Sequence, residues 1–246
     1  MGFCFVNGIH FVNIFKYIIN QLWEFPCPLC ERDNPVPHDF NSFCPECLES
    51  LPLLRGRRCP GCGGELDGVL DICPQCLKMP PRPWKNAISL MRMQGNGEKA
   101  VYALKFSGNR AMARALAEIA APLLTQPDFA DIDMIVPVPL HWRRYWQRSY
   151  NQSELLAKSL TRYLGKPCRK PLKRVRPTIR QATLNREERL KNLKGAFAVP
   201  HPEQVAGRKV LLVDDVLTTG ATLHAAADAL LQAGAVSVLV FTAARR

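Results

Sequence analysis

The sequence contains no unbroken apolar run of the ~20 residues that a bilayer-spanning helix requires. The nearest approach is residues 3 to 23, which Asn7, His10, Asn13, Lys16, Asn20 and Gln21 interrupt. That stretch also lacks the charged start and small-residue cleavage site of a secretory signal, so a reducing cytoplasm is the expected compartment. Residues 1–24 are read instead as an amphipathic extension, with a helix from about Ile9 to Trp23 packing on the rest of the protein. A membrane-surface role is the alternative. No low-complexity tract is present, and 47% hydrophobic with 22% charged residues is the composition of an ordinary soluble protein. Acids are scarce. The 21 Asp and Glu stand against 33 Lys and Arg, for a net charge of +12. The imbalance is local: residues 141 to 209 hold 18 basic side chains against Glu154, Glu187, Glu188 and Glu203, a net of +14, leaving −2 elsewhere. Positive charge confined to one segment points to an anionic ligand: a phosphate, a pyrophosphate or nucleic acid.

Eight of the ten cysteines fall in four Cys-x-x-Cys pairs: Cys27/Cys30, Cys44/Cys47, Cys59/Cys62 and Cys73/Cys76. Two thiolates two residues apart in a tight turn hold half of a tetrahedral zinc site, and a second pair completes it. Each pair encloses a Pro, and Gly63 and Gly64 follow the third, as a sharply turned knuckle requires. Redox motifs of the thioredoxin kind do not come four in a row without a βαβ setting. Two structural Cys4 zinc sites are therefore expected in residues 25–78. Serial pairing, first with second and third with fourth, closes loops of 13 and 10 residues at the lower entropic cost. Interleaved pairing is the alternative. A module this small depends on its metal for folding free energy. Cys4 and Cys168 are left as ordinary thiols.

A Pro-rich linker over 79–86 separates this module from a segment, 87–246, with α/β periodicity. Strands are expected over Ala87–Met93, Ile132–Val138, Val210–Val213 and Val236–Phe241. Helices are expected over Glu98–Phe106, Arg110–Leu124, Ser153–Leu164 (Ser153 as N-cap) and Leu223–Ala233. Strand and helix in alternation imply right-handed βαβ units and a parallel sheet flanked by helices.

The strand Val210–Val213 runs into Asp214-Asp215, and Thr218-Thr219-Gly220-Ala221-Thr222 then leads into a helix. Acids at the carboxyl end of a buried parallel strand lie in the ligand crevice of an α/β sheet. There they accept hydrogen bonds from ribose hydroxyls or from water on a magnesium ion. Backbone N–H groups of a small-residue loop at a helix N-terminus cradle a phosphate, and Gly220 permits the close approach.

Residues 210–222 resemble the phosphoribosyl-pyrophosphate (PRPP) signature of type I phosphoribosyltransferases. The order of motifs along the chain narrows this. After the cysteine module come Ala103-Leu104-Lys105-Phe106, Val136-Pro137-Val138-Pro139-Leu140 and Arg148-Ser149-Tyr150-Asn151-Gln152. Arg174, Arg176, Thr178 and Gln181 follow, then Leu184, Arg189, Asn192 and Gly195-Ala196-Phe197. In this order the chain resembles the ComF family of competence and GntX-like proteins, from about Phe25 to the end. The resemblance implies a phosphoribosyltransferase-like fold behind a zinc-ribbon-like module. It implies Asp214 and Asp215 at the ribose hydroxyls and Thr218, Thr219, Gly220, Ala221 and Thr222 at the 5-phosphate. Pro137, Val138 and Pro139, with Arg143, Arg144 and Arg148, occupy the place of the loop that holds pyrophosphate and Mg2+. The resemblance places Lys105 near the ligand phosphates, although on its own it reads as the solvated end of a helix.

The polar stretch with Thr178, Gln181, Arg186, Arg189 and Asn192 reads as a loop that closes over ligand and excludes water, or as a strip for single-stranded DNA. The latter needs aromatics for stacking, and Trp142, Tyr145, Trp146 and Tyr150 stand just upstream. The family resemblance implies a role in natural transformation or the use of external DNA. It implies PRPP, single-stranded DNA and a competence helicase or ATPase docked on the zinc module as partners. The alternatives are an active transferase moving ribose-5-phosphate to a nitrogenous acceptor in nucleotide salvage, or a regulator that senses nucleotide without turnover. Fold alone does not choose among them. No aromatic stacker for a purine follows the last strand, which counts against the salvage enzyme.

Overall fold

The computed structural model describes residues 26–33, 42–106, 108–140, 150–176, 193 and 195–246. The expected helix Ile9–Trp23, the polar stretch from Thr178 to Asn192, and Trp142, Tyr145 and Trp146 lie outside the described residues.

A four-stranded parallel sheet organises the chain: β1 (Asn86–Arg92), β2 (Met134–Pro137), β5 (Lys209–Leu217) and β6 (Ser237–Arg245), in the spatial order β1-β6-β5-β2. As far as Val213 and Phe241, the two central strands alternate between two apolar layers. Leu211, Val213, Leu239 and Phe241 face one cluster, while Val210, Leu212, Val238 and Val240 face the other. Both faces are covered, so these strands read as continuous apolar runs, as buried parallel strands do.

The first layer is built by α3 (Gly95–Phe106), α4 (Arg110–Leu124) and α6 (Gln152–Leu164), which contribute Val101, Leu104, Met112, Leu116, Leu156 and Leu160. In α4 the buried positions Met112, Ala113, Leu116, Ala117, Ala120 and Leu124 recur at helical spacing. The second layer is built by α7 (Ala221–Gln232) through Ala226, Ala227 and Leu230. The short α5 (Pro127–Ala130) leads into β2. An antiparallel pair, β3 (Lys173–Arg174) with β4 (Phe197–Ala198), was not foreseen from the sequence.

One assignment is corrected. Asn151, not Ser153, caps α6: its side chain accepts the Ser153 N–H at 3.1 Å and donates to the Val138 carbonyl at 2.9 Å. Asn151, two residues earlier, satisfies the orphan amide, which releases the Ser153 hydroxyl for the site described below.

The cysteine-rich segment lies against the open side of β1. Leu53 bridges Met91 antiparallel, Leu54 N–H donates to Leu90 O at 2.9 Å, and Arg92 N–H donates to Pro52 O at 2.9 Å. Arg58 donates to the carbonyls of Leu54 and Ser89. At Gly63, with φ of +66°, an added Cβ would collide with the backbone of Ile88 and Ser89, so only glycine fits. The buried Ser89 hydroxyl bonds both Cys62 O and Thr242 Oγ1, each at 2.8 Å.

Candidate functional site

The cysteines form two clusters, Cys27/Cys30/Cys44/Cys47 and Cys59/Cys62/Cys73/Cys76, with the sulfurs of each within 4.8 Å of one another. Pairing is serial. A tetrahedron with Zn–S of about 2.3 Å has S···S edges of about 3.8 Å; Cys30 and Cys44 Sγ stand 3.8 Å apart, and Cys62 and Cys73 Sγ 3.7 Å. The clusters are built alike. In each, the first pair lies in a turn and the second opens a short helix, α1 (Pro45–Glu49) or α2 (Pro74–Leu77). In each, the amide of the third cysteine points at the first sulfur: Cys44 N to Cys27 Sγ at 3.5 Å, and Cys73 N to Cys59 Sγ at 3.4 Å. Such N–H···S contacts favour thiolate, the metal-binding form. Cys30 is pushed down to about 6 by the backbone N–H of Arg32. Burial pushes Cys47 up, and thiol-to-thiol hydrogen bonding with Cys59 pushes Cys62 up and Cys76 up to about 11. Four crowded thiols cannot all ionise alone, and a dication resolves that conflict. Both clusters can hold zinc.

The second constellation lies where β2, β5 and α6 meet. Val138 N–H donates to Val213 O at 2.9 Å, which sets Pro137, Val138 and Pro139 beside the carboxyl end of β5. Asp214 Oδ1 accepts from Ser153 Oγ at 2.8 Å and from the Asp215 N–H at 2.9 Å. Asp215 Oδ2 faces Lys105 Nζ at 3.5 Å and Gln152 Nε2 at 3.4 Å. Desolvation, followed by the neighbouring Asp215 charge, pushes the Asp214 carboxyl up to about 7, against the pull of Ser153. The acid pair thus sits at the N-terminus of α6, with one carboxyl poised to titrate near neutrality and the other held by a lysine.

Beyond it, Thr218 is exposed, Thr219 half-buried, and Gly220 takes φ of +77° as N-cap of α7, followed by buried Ala221. Gly220 supplies no side-chain cap, and the Thr219 hydroxyl approaches the Ala221 amide at 3.4 Å. A small-residue loop at a helix N-terminus is the setting in which backbone amides bind an anion.

The structure therefore brings together Asp214, Asp215, Lys105, Pro137 to Pro139 and the loop 218–222. Arg143, Arg144, Arg148 and Arg189 lie outside the described residues. Sequence reasoning missed Ser153, Gln152 and Asn151 as site residues, although their motif was visible, and Arg82, whose guanidinium donates to Thr219 O at 3.0 Å. Tyr150, read as a stacking candidate, accepts the Gly108 N–H at 2.7 Å through its hydroxyl.

Residues 150–246 match the family model of the phosphoribosyl transferase domain. The chain is similar to the DNA utilization protein YhgH of Salmonella typhi, 35% identical over 229 residues, covering 89% of this chain and 96% of that one. It is similar to competence protein F of Haemophilus influenzae, 31% identical over 225 residues, covering 84% and 98%. It is also similar to competence protein ComFC of Bacillus subtilis, 30% identical over 213 residues, covering 82% and 83%.

Proposed function

Because this chain belongs to the ComF family, we propose that it binds PRPP at the Asp214–Asp215 crevice and serves the uptake or use of external DNA. The observation that carries the PRPP reading is the acid pair in the carboxyl half of β5, joined to α6 through Ser153 and followed by the small-residue loop at the start of α7. Its chemistry matches a phosphorylated ribose: carboxylates accept from the 2- and 3-hydroxyls, and loop amides donate to the 5-phosphate. Lys105 stands 3.5 Å from Asp215, close enough to add positive charge beside the ligand. Pro137 to Pro139, with Arg143, Arg144 and Arg148, are assigned to pyrophosphate and its Mg2+, and Arg189 to a closing loop. Zinc at the two Cys4 clusters is structural, because thiolates fill every position and leave none for substrate.

The DNA role rests on the named activities of the relatives and on the +14 segment between residues 141 and 209. The ligand there is single-stranded DNA, and a helicase or ATPase docks on the cysteine module. The cytoplasm is the compartment: free thiolates for zinc require reducing conditions, and no helix among the described residues is long and apolar enough to cross a membrane.

Titration calorimetry of the zinc-loaded protein with PRPP and Mg2+ tests the site. Saturable binding that an Asp214→Ala, Asp215→Ala double variant abolishes supports it, and absence of binding by the parent protein overturns it. Pyrophosphate release with a panel of bases, with and without single-stranded DNA, separates a transferase from a PRPP-binding accessory protein.

A further inference from the structure

The segment 79–86 reads from sequence as a linker, yet two of its side chains join the second cysteine cluster to the phosphate loop. Trp84 is 4% exposed. Its indole Nε1 donates to the carbonyl of Pro60, inside the Cys59–Cys62 turn, at 3.3 Å. Its ring meets His224, in the first turn of α7, edge-on at 6.4 Å between centroids and 74° between planes. The Arg82 guanidinium stacks over that indole at 5.1 Å. Its stem passes Gly61, where an added Cβ would stand 3.7 Å from Arg82 Cγ and 2.9 Å from Cys76 Sγ.

At its far end Arg82 donates to Thr219 O through Nη2 and underlies Gly220, where an added Cβ would stand 2.8 Å from Nη1. Cys59, Cys62, Cys73, Trp84, Leu217, Ala221 and Leu223 belong to one buried cluster. A continuous run of contacts thus leads from a metal-ligand turn through Trp84 and Arg82 to the loop. The Nε and Nη1 donors of Arg82 are buried without an acceptor among the described residues. Buried donors are rarely left so, and a guanidinium in this position places fixed positive charge behind a loop suited to a dianion.

We propose that Arg82 and Trp84 form a strut by which zinc at Cys59/Cys62/Cys73/Cys76 holds the loop 218–222 in its phosphate-binding shape, and that Arg82 is its positioning residue. The affinity half of this inference rests on the PRPP reading above. The two cysteine clusters then differ in role. Occupancy of the second cluster is coupled to the loop, while the first, whose cysteines pack in the other apolar layer with Phe43 and Leu51, is not.

The test uses the full-length, zinc-loaded protein. Arg82→Ala is expected to keep two zinc ions per chain and the parental melting temperature, to lose amide-exchange protection over residues 217–224, and to weaken PRPP binding about tenfold, within the usual range of coupling between sites. Arg82→Lys, which keeps charge but not the fork, is expected to recover part of that affinity. Cys76→Ser should lower both zinc content and loop protection, whereas Cys30→Ser should lower zinc content and leave the loop protected. Parental loop protection in Arg82→Ala, or equal loosening by the two cysteine variants, overturns the proposal. If a cysteine variant fails to fold, the Arg82 pair decides alone. If the parent protein binds no PRPP, the site reading fails, and exchange protection with and without zinc still decides whether the strut exists.

Discussion

Ser153 Oγ donates to Asp214 Oδ1 across 2.8 Å, tying the first turn of α6 to the carboxyl end of β5. The Asp215 amide donates to the same oxygen at 2.9 Å. Among the described residues both donors fall on Oδ1, which leaves Oδ2 for an incoming hydroxyl. The serine hydroxyl also opposes the burial that favours the neutral acid. Ser153→Ala is expected to weaken PRPP binding several-fold and to move the pH midpoint of binding upward, because the carboxyl then ionises less readily. A binding-versus-pH series on parent and variant checks it; an unchanged midpoint would show that Ser153 only packs.

The raised Asp214 carboxyl has opposite consequences for ligand binding and for stability. Its folded value near 7 lies above the ordinary 3.8, so the native state holds the proton more tightly than the unfolded chain. That contribution is fully present below about pH 4 and is lost as pH rises through 7. The ligand-free protein is therefore expected to lose stability from this group over that window, and Asp214→Asn to melt higher than the parent at pH 8. The ionised acid is the better acceptor for ribose hydroxyls, so PRPP affinity of the parent should rise between pH 6 and 8 and that of Asp214→Asn should not. Melting curves and calorimetry at matched pH decide both.

Lys105 and Asp215 pair at 3.5 Å with side chains 24% and 15% exposed. A partly solvated ion pair is worth on the order of 1 kcal/mol or less. Lys105→Met is expected to leave thermal stability nearly unchanged while lowering PRPP affinity. A large fall in melting temperature would make Lys105 a structural residue instead.

Two zinc ions per chain are expected by elemental analysis, and a thiol reagent together with a chelator should release both with loss of order in the cysteine module. One ion per chain would mean that one of the two sulfur clusters binds no metal.

Charge neutralisation at Arg143, Arg144 and Arg148 is expected to lower affinity for single-stranded DNA and to flatten its salt dependence by roughly 0.7 in log–log slope per lost phosphate contact. Filter binding over a salt series measures this. An unchanged slope would remove these three side chains from the DNA path.

What the sequence made legible followed from strong, local signals. Val210 to Val213 is an apolar run between a basic residue and two acids, and it lies in a central strand. Arg110–Leu124 has the bounds that its Ala/Leu periodicity predicts. The serial cysteine pairing followed from loop entropy alone. The N-cap of α6 was misplaced by two residues because Ser and Asn both cap well, and only the tertiary bond to Asp214 distinguishes them. The β3–β4 pair was invisible because two-residue strands carry no periodicity. Arg82 was hidden for a different reason: a Pro-rich segment reads as a spacer, and nothing local reveals that the Thr219 carbonyl, 137 positions away, accepts a hydrogen bond from it.

The Leu53–Met91 bridge carries a last consequence. The backbone that shields β1 belongs to the stretch between the two sulfur clusters, so its position depends on metal bound on both sides of it. A chain made under zinc starvation would keep β1 paired with β6 but leave its outer edge, Ala87 to Met91, open to water. Bare strand edges of that kind recruit one another. Metal supply would then govern not only how firmly the protein folds but whether its copies remain separate, and self-association would precede any loss of helix content.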